Sequence, residues 1–420
     1  ICSRFNRTFF VILYEHMKIE PRTLKGFRDF LPAESRKREY VINTIKKVFE
    51  LYGFDPIETP SLEYQEILAG KYGVEGDKLM YKFTDNGGRN VALRYDQTVP
   101  LARVVAQYEN IIPSPFKRYQ IQPVWRAENT QKGRFREFYQ CDIDTIGTSS
   151  IHADAEIIAC VLKITKILGL KCFMEINDRS VFKQFTAHQI VTIDKIKKIG
   201  KDEVIAELST LGMTEESANT NLTNLISSDI PQNLKLMFEY LESGGLKPGK
   251  DFEFNPTLAR GLDYYTGSIF ELVCHDYPSS IGGGGRYDNL IGVFSGKDIP
   301  AVGFAVGFDR LIEVMDELNL FPKDIQATQV LVTVFSKDYI KQSSNTVSYL
   351  REHEMNTELY LDPNQKMEKQ LKYADKKNIP YAIIIGPEEV ENNVVTLKNL
   401  RTREQKILLL EETLKILQNK

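Results

Sequence analysis

The sequence predicts an α+β fold with a helical insertion and a separate α/β unit at its C-terminal end. Three observations carry this expectation. Residues 116–147 hold two strand-like runs, 119–125 and 138–146, on either side of a polar loop. In the second run Tyr139, Cys141, Ile143 and Thr145 fall on one face and Gln140, Asp142 and Asp144 on the other, which is the two-residue period of a strand. From about 178 to 250 the chain turns rich in Lys, Glu, Ser, Thr and Asn, with short helical periods over 202–211, 215–226 and 234–241. Past Phe321-Pro322, strand and helix patterns alternate, which predicts a small α/β domain with a largely parallel sheet. A chain of 420 residues has room for two or three domains. We divide it into an extension at 1–16, a main domain at 17–325 and a C-terminal domain at 326–420.

In chain order, a loop at 21–31 carries Gly26-Phe27-Arg28-Asp29-Phe30-Leu31. A helix follows over 33–52, with Val41, Ile45, Val48 and Tyr52 at helical spacing, Pro32 at its start and Gly53 at its end. A short strand, 54–60, ends at Pro60. Hairpin strands 79–84 and 90–95 flank Asp85-Asn86-Gly87-Gly88. Asp96 and Thr98 sit where strand gives way to an amphipathic helix, 101–108. There they can cap the helix, or form an acceptor pair for an ammonium group, and the two roles are compatible. An apolar helix at 153–168 ends at Gly169 and precedes a strand at 171–177. Runs 252–254 and 268–273 bracket a turn-rich centre. Four successive glycines, 282–285, permit close backbone approach; they suit a simple turn as well as a phosphate loop and match neither the Walker nor the dinucleotide pattern. Gly303 and Gly307 lie in a small apolar strand. Arg310 then opens a helix with Leu311, Val314, Met315 and Leu318 inward. The C-terminal elements are strands at 330–335, 357–361 and 381–386, helices at 338–353 and 363–377, a hairpin at 394–400 and 405–410, and a last helix.

Composition narrows the function. The hydrophobic share of 42% and the charged share of 26% are those of an ordinary globular chain. A formal net charge of −3 argues against a general nucleic-acid coat but leaves room for a local basic patch. The cysteines, Cys2, Cys141, Cys160, Cys172 and Cys274, form no C-x-x-C pair, and the histidines are scattered. Neither a zinc site nor a disulfide framework is expected, which suits a reducing compartment. No apolar run reaches the ~20 residues of a membrane span. Residues 1–16 begin without Met, and Met17 opens a stretch that reads like a natural start. We expect a translated upstream extension, with an organellar presequence as the alternative.

The chemistry concentrates in the loop of the 116–147 hairpin, which carries Arg126, Glu128, Lys132, Gly133, Arg134 and Arg136. Arginine grips phosphate oxygens with two parallel N–H donors. Phe138, at the strand entry, can stack on a base. Gln140 and Asp144 point the same way and offer hydrogen bonds to a small cationic or polar ligand.

The order Arg126-Ala127-Glu128, loop, Lys132-Gly133-Arg134-Phe135-Arg136-Glu137-Phe138 resembles motif 2 of the class II aminoacyl-tRNA synthetases. Helix 33–52 with the strand ending in Thr59-Pro60 resembles motif 1, the dimer interface of those enzymes. Residues 300–318 resemble motif 3. Leu258-Ala259-Arg260-Gly261-Leu262-Asp263-Tyr264-Tyr265 is similar to the signature segment of the histidyl-tRNA synthetases, and Gly282–Asp288 follows as a second signature. The C-terminal unit resembles the anticodon-binding domain of the histidyl, threonyl, prolyl and glycyl enzymes. These matches run in family order from about Gly26 to the C-terminus, and the chain is identified as a member of the histidyl-tRNA synthetase family.

The resemblance implies an antiparallel catalytic sheet flanked by helices, and an enzyme that joins histidine to tRNA(His) through histidyl-adenylate. It implies ATP as substrate, Mg²⁺ arriving with the ATP, no zinc, no membrane, a homodimer and a cytoplasmic location. By the same resemblance Arg126 binds the α-phosphate and Arg134 the γ-phosphate. Glu128 and Phe138 hold adenine, with Arg310 opposite Phe138. Arg260 and Arg126 are the catalytic cations, and both also belong to the histidine site. Asp96, Thr98 and Gln140 take the α-amino group, Asp144 and Tyr264 the imidazole, and Tyr265 and Tyr287 close the pocket. The helical insertion is a tRNA-contacting arm by resemblance and a set of solvated helices by composition. The rival functions are a catalytically dead regulatory paralogue and an uncharged-tRNA sensor. Arg126, Arg260, Arg310 and the C-terminal unit argue against both.

Overall fold

The computed structural model describes residues 19–418 apart from 72, 131, 132, 260–264, 323, 324, 326 and 327, and no side chain of 73–75, 278 or 279. The chain forms two compact units, 1–321 and 322–420.

The first unit is built on an eight-stranded sheet. Its strands are β1 (Asp55–Pro56), β5 (Phe116–Trp125), β6 (Glu137–Ile146), β7 (Cys172–Asp178), β8 (Phe252–Phe254), β9 (Ser268–Cys274), β10 (Tyr277–Arg286) and β11 (Ala301–Gly307). The numbering leaves β2 (Leu62–Tyr64), β3 (Lys82–Thr84) and β4 (Asn90–Leu93) for a separate small sheet of order β2-β4-β3. The large sheet runs β1-β5-β6-β11-β10-β9-β7-β8. Its five inner pairings are antiparallel, and only the edge strands β1 and β8 join parallel.

Alternation along β5 and β6 gives this sheet two unlike faces. Cys141, Ile143, Val302, Phe304, Phe270, Met174 and Ile176 all join the main core. Four helices supply the other half of that core: Pro32–Leu51, Ile151–Ile167, Gln232–Ser243 and Phe308–Glu317. The first has Pro32 in its opening turn, where the missing N–H costs nothing, and ends ahead of Gly53 at φ +75°. The other face carries Gln140, Asp142 and Asp144. The hairpin register sets Gln122, Gln120 and Arg118 opposite them on one side, and β11 sets Gly307, Ala305 and Gly303 opposite them on the other.

Several local expectations are corrected. The strand expected at 54–60 is only Asp55–Pro56, since Pro56 and Pro60 lack a ladder N–H. The strand expected from residue 79 begins at Lys82, behind the short helix Gly73–Leu79. The helix expected at 101–108 starts at Thr98, because Pro100 fits its first turn and Asp96 Oδ1 accepts from the Val99 N–H at 3.2 Å. Gly282–Gly285 form neither a turn nor a phosphate loop. They lie inside β10, paired with β9 and β11. A Cβ on Gly284 would collide with the Gly303 carbonyl, so glycine lets these strands approach. In the insertion, Glu215–Ile226 and Lys201–Thr210 share a small core with Phe182, Ile190 and Ile193. Helix Gln232–Ser243 instead packs Leu234, Met237 and Leu241 into the main core.

The second unit has a five-stranded sheet of β12 (Val330–Val332), β13 (Thr357–Leu359), β14 (Tyr381–Ile384), β15 (Val395–Asn399) and β16 (Gln405–Leu408), ordered β13-β12-β14-β15-β16. It is mixed rather than largely parallel. The two pairings made by β12 are parallel, and the β14/β15 and β15/β16 pairings are antiparallel. The β15–β16 hairpin accounts for the second of these, since a short connection can return a strand only antiparallel. Val330, Val332, Val347, Leu350, Ile383, Leu397 and Leu414 form its core.

Candidate active site

The polar face of the large sheet opens into two adjoining cavities. The larger, about 380 Å³, is lined by Arg126, Glu128, Arg134, Phe138, Gln140, Tyr265 and Arg310, with Gly282, Gly283 and Gly307 as bare backbone. The smaller, about 70 Å³, is lined by Asp96, Thr98, Arg126, Gln140, Asp142, Asp144, Tyr265, Tyr287 and Gly303. Arg126, Gln140 and Tyr265 belong to both walls. The eleven described residues expected at the site thus line these two spaces. Arg260 and Tyr264, expected beside them, lie outside the described residues.

In the larger cavity the cations are aimed by short contacts. Arg126 leaves the end of β5, donates from Nε to the Tyr95 carbonyl at 3.1 Å, and lies over the Tyr95 and Phe138 rings at 4.4 and 5.2 Å from their centroids. Arg134 pairs with Glu128, whose carbonyl accepts from Arg136 at 3.1 Å. Arg310 donates to the Ser280 carbonyl at 2.9 Å, which fixes it at the head of its helix beside β10. Asp309, the preceding residue, accepts from Arg28 and Arg38 at 2.7 Å each and from the Tyr139 N–H at 3.3 Å. That carboxylate ties the 26–31 loop, the first helix and β6 together beneath the cavity.

The smaller cavity is organised by groups that sequence reasoning missed. Arg118, with no exposed surface, pairs with Asp144 at 2.6 Å. The Tyr287 hydroxyl donates to the other Asp144 oxygen. Gln97 Nε2 donates to the carbonyls of Gln122 and Gln140, at 2.9 and 3.3 Å, and anchors the helix at Thr98–Gln107 against the hairpin. Arg94 is likewise buried and donates to Thr59 O, Pro123 O and Gln122 Oε1 at 2.6 to 2.9 Å, holding the small sheet against β5. One signal was available for Arg118: pairing the hairpin symmetrically about its loop sets it opposite Asp144. Nothing in the local pattern pointed to Gln97 or Arg94.

Burial pushes the Asp142 carboxyl well above the ordinary range, reinforced by Asp144 and Asp96 and opposed by Arg118 and Arg126. Asp144 is also raised by burial, and Arg118 with the Tyr287 hydroxyl hold it back. A Cβ on Gly303 would collide with the Asp144 carboxylate, so the glycine makes room for that side chain to lie across β11. Among the described residues no group of three or more His, Cys, Asp or Glu side chains could hold a metal ion.

A family model described as histidyl-tRNA synthetase matches residues 26–311, and one described as an anticodon binding domain matches 329–420. The chain belongs to the histidyl-tRNA synthetase family. It is 40% identical to the histidine–tRNA ligase of Cytophaga hutchinsonii over 92% of this chain and 97% of that protein. It is 40% identical to that of Bacteroides fragilis strain YCH46 over 94% and 98%. Among solved structures, the histidyl-tRNA synthetase of Nostoc sp. PCC 7120 superposes with a TM-score of 0.85 at 29% identity, covering 96% of this chain and all of that one. A Bacillus halodurans C protein described as an ATP phosphoribosyltransferase regulatory subunit/histidyl-tRNA synthetase shares the fold, with a TM-score of 0.72 at 23% identity over 88% and 99%. The helix-flanked sheet is therefore the catalytic fold of the histidyl-tRNA synthetases, and the second unit is their anticodon-binding domain.

Proposed function

We propose that the smaller cavity takes L-histidine, the larger takes ATP, and their shared wall is where the two react. The observation that carries this reading is the pair of adjoining cavities with Arg126, Gln140 and Tyr265 in common. A site that must join an amino acid to a nucleotide needs such continuity. As in the family, the chain is a histidine–tRNA ligase that works in two steps. The histidine carboxylate attacks the α-phosphorus of ATP in line, the bond to the bridging oxygen breaks, and pyrophosphate leaves. The 3′-terminal ribose hydroxyl of tRNA then takes the histidyl group from AMP.

A carboxylate is already ionised at neutral pH, so the first step needs no base. Positioning and charge stabilisation carry it. Arg126 meets the α-phosphate from its fixed place over Phe138. Arg134 reaches the γ-phosphate, Glu128 and Phe138 receive adenine, and Arg310 covers the opposite face of the base. Arg260 supplies a further cation at the reacting phosphate. Asp96, Thr98 and Gln140 accept from the α-ammonium group, Asp144 and Tyr264 address the imidazole, and Tyr265 and Tyr287 close the pocket. Mg²⁺ accompanies the β- and γ-phosphates as part of the nucleotide complex. A pocket that satisfies both ring nitrogens rejects side chains lacking them by roughly 10⁴ or more.

The C-terminal unit takes the anticodon region of tRNA(His). The chain works as a two-fold homodimer in the cytoplasm, and the exposed Leu62, Tyr64, Phe83 and Tyr108 around the small sheet supply apolar surface for the contact. Pyrophosphate–ATP exchange with each of the twenty amino acids tests the reaction. Exchange with histidine alone, severely cut in Arg260→Ala, is expected. A folded protein that exchanges with no amino acid would point to a regulatory or tRNA-sensing role instead.

A further inference from the structure

The segment from Gly282 to Asp288 supplies Tyr287 to the smaller cavity, and the roles above leave its charged residues, Arg286 and Asp288, unused. Arg286 closes β10 and is buried. It stands opposite Val302 of the main core, so its side chain leaves the sheet on the helix-covered face, while Tyr287 turns to the polar face. Behind the sheet Arg286 pairs with Asp154, which has no exposed surface and lies in the first turn of the helix Ile151–Ile167. Arg286 also donates to the carbonyls of Thr148 and Ser150, at 3.0 and 3.2 Å, just past the end of β6. Ser268, the first residue of β9, donates its hydroxyl to the other Asp154 oxygen. Thr266 donates its N–H to the Arg286 carbonyl at 2.7 Å, and its hydroxyl lies 3.1 Å from Asp288 Oδ2.

Three strand ends therefore meet on one buried ion pair, and each carries a residue of the pocket: Asp144 near the end of β6, Tyr287 directly after β10, and Tyr265 just ahead of β9. In front of the sheet the Tyr287 hydroxyl donates to Asp144 across Gly303 of the intervening β11.

We propose that Arg286 and Asp154 are positioning residues of the amino-acid pocket, their ion pair behind the sheet setting the aim of Tyr287 at Asp144 in front of it. The inference rests on the histidine reading of this pocket. Neither side chain lines either cavity, so both act through the residues they hold. The end of β10 needs such an anchor. Between Ile281 and Arg286 the strand is four glycines, which have no side chain to pack. Hydrogen bonds weaken steeply with misalignment, so a displacement of the strand end by about 1 Å would break the Tyr287–Asp144 contact and open the pocket.

Pyrophosphate–ATP exchange on the full-length protein, with the apparent KM measured separately for histidine and ATP, tests this beside urea unfolding. Asp154→Asn keeps the shape, removes the charge and replaces one acceptor oxygen with a donor. It should raise the histidine KM about fivefold or more, equivalent to about 1 kcal/mol, and leave the ATP KM unmoved. Ser268→Ala removes one arm of the network and should raise the histidine KM about threefold, a readout that stands if Asp154→Asn does not fold. Tyr287→Phe should raise it by itself, and adding Asp154→Asn to that variant should change it by less than about twofold more, because the two act on one contact. Folded variants with lower urea midpoints and an unchanged histidine KM would overturn the positioning role and leave a structural one. Full additivity with Tyr287→Phe, or a Tyr287→Phe variant with the wild-type KM, would overturn the route through Tyr287. Wild-type protein inactive with histidine would instead defeat the pocket assignment on which the inference stands.

Discussion

The two faces of the β5–β6–β11 sheet are made by the same strands and held to opposite standards. On one face Cys141, Ile143, Val302 and Phe304 are fully or almost fully buried in one hydrophobic cluster with the helices. On the other, Arg118, Asp142 and Asp144 are buried just as deeply, with Arg118 paired to Asp144 and Asp142 Oδ1 left without a hydrogen bond. The first arrangement stabilises the fold. The second costs stability, since burying a guanidinium and two carboxyl groups is repaid only in part by one ion pair. A chain keeps such a cluster where a ligand completes it. Burial alone therefore does not separate core from site in this molecule; what separates them is whether the buried groups are satisfied before anything binds.

The largest test of the comparison is Arg118. Removing the cation leaves Asp144 facing Tyr287 alone and Asp142 with still less positive charge nearby. Arg118→Met keeps the aliphatic volume and should lose about 3–5 kcal/mol, the usual cost of orphaning a buried charge. Urea unfolding at pH 7.5 reads this directly. Part of the loss should return at pH 5, where the orphaned carboxylates can take protons. A loss under about 1 kcal/mol would mean the cluster is screened like a surface pair.

The second test is pH. Asp142 has a folded-state pKa raised above its unfolded value, chiefly by burial. Such a group binds its proton more tightly in the folded state. Its contribution is fully present below the unfolded pKa of about 4 and is lost as pH rises toward the folded value, at about 1.4 kcal/mol per pH unit. Asp142→Asn removes this term. The ligand-free variant should gain stability over the wild type on going from pH 5 to pH 8, read as a gap in melting temperature that is wider at the higher pH. A gap independent of pH would show that Asp142 is ionised in both states.

The same contrast explains what was legible in the sequence. The apolar face could be read from period alone, because Tyr139, Cys141 and Ile143 need only alternate. Arg126 and Arg134 of the 126–136 loop could be picked out by residue type and spacing, and the structure sets both in the wall of the larger cavity. Arg118 could be read only by pairing the hairpin about its loop, because its meaning lies in a cross-strand partner 26 residues away, as its pairing with Asp144 shows. The 282–285 glycines misled for a related reason. Glycine runs serve turns and tight strand contacts alike, and only the neighbours, here Gly303 and Phe304, decide which. The C-terminal sheet was misjudged in direction because alternating β and α patterns fix the order of its elements and leave open how a terminal hairpin joins them.

The smallest effect belongs to the apolar face, and it makes the control. Ile143 is fully buried in β6 between Asp142 and Asp144, pointing the opposite way. Ile143→Val deletes one methylene from a packed core. It should cost about 0.5–1.5 kcal/mol, read as a lower urea midpoint with an unchanged slope. Its neighbours in sequence line the smaller cavity, but its side chain does not, so the histidine and ATP KM values should match those of the wild type. A tenfold or greater shift in the histidine KM would show that packing behind the sheet sets the pocket geometry, and the two faces would then have to be treated as one mechanical unit.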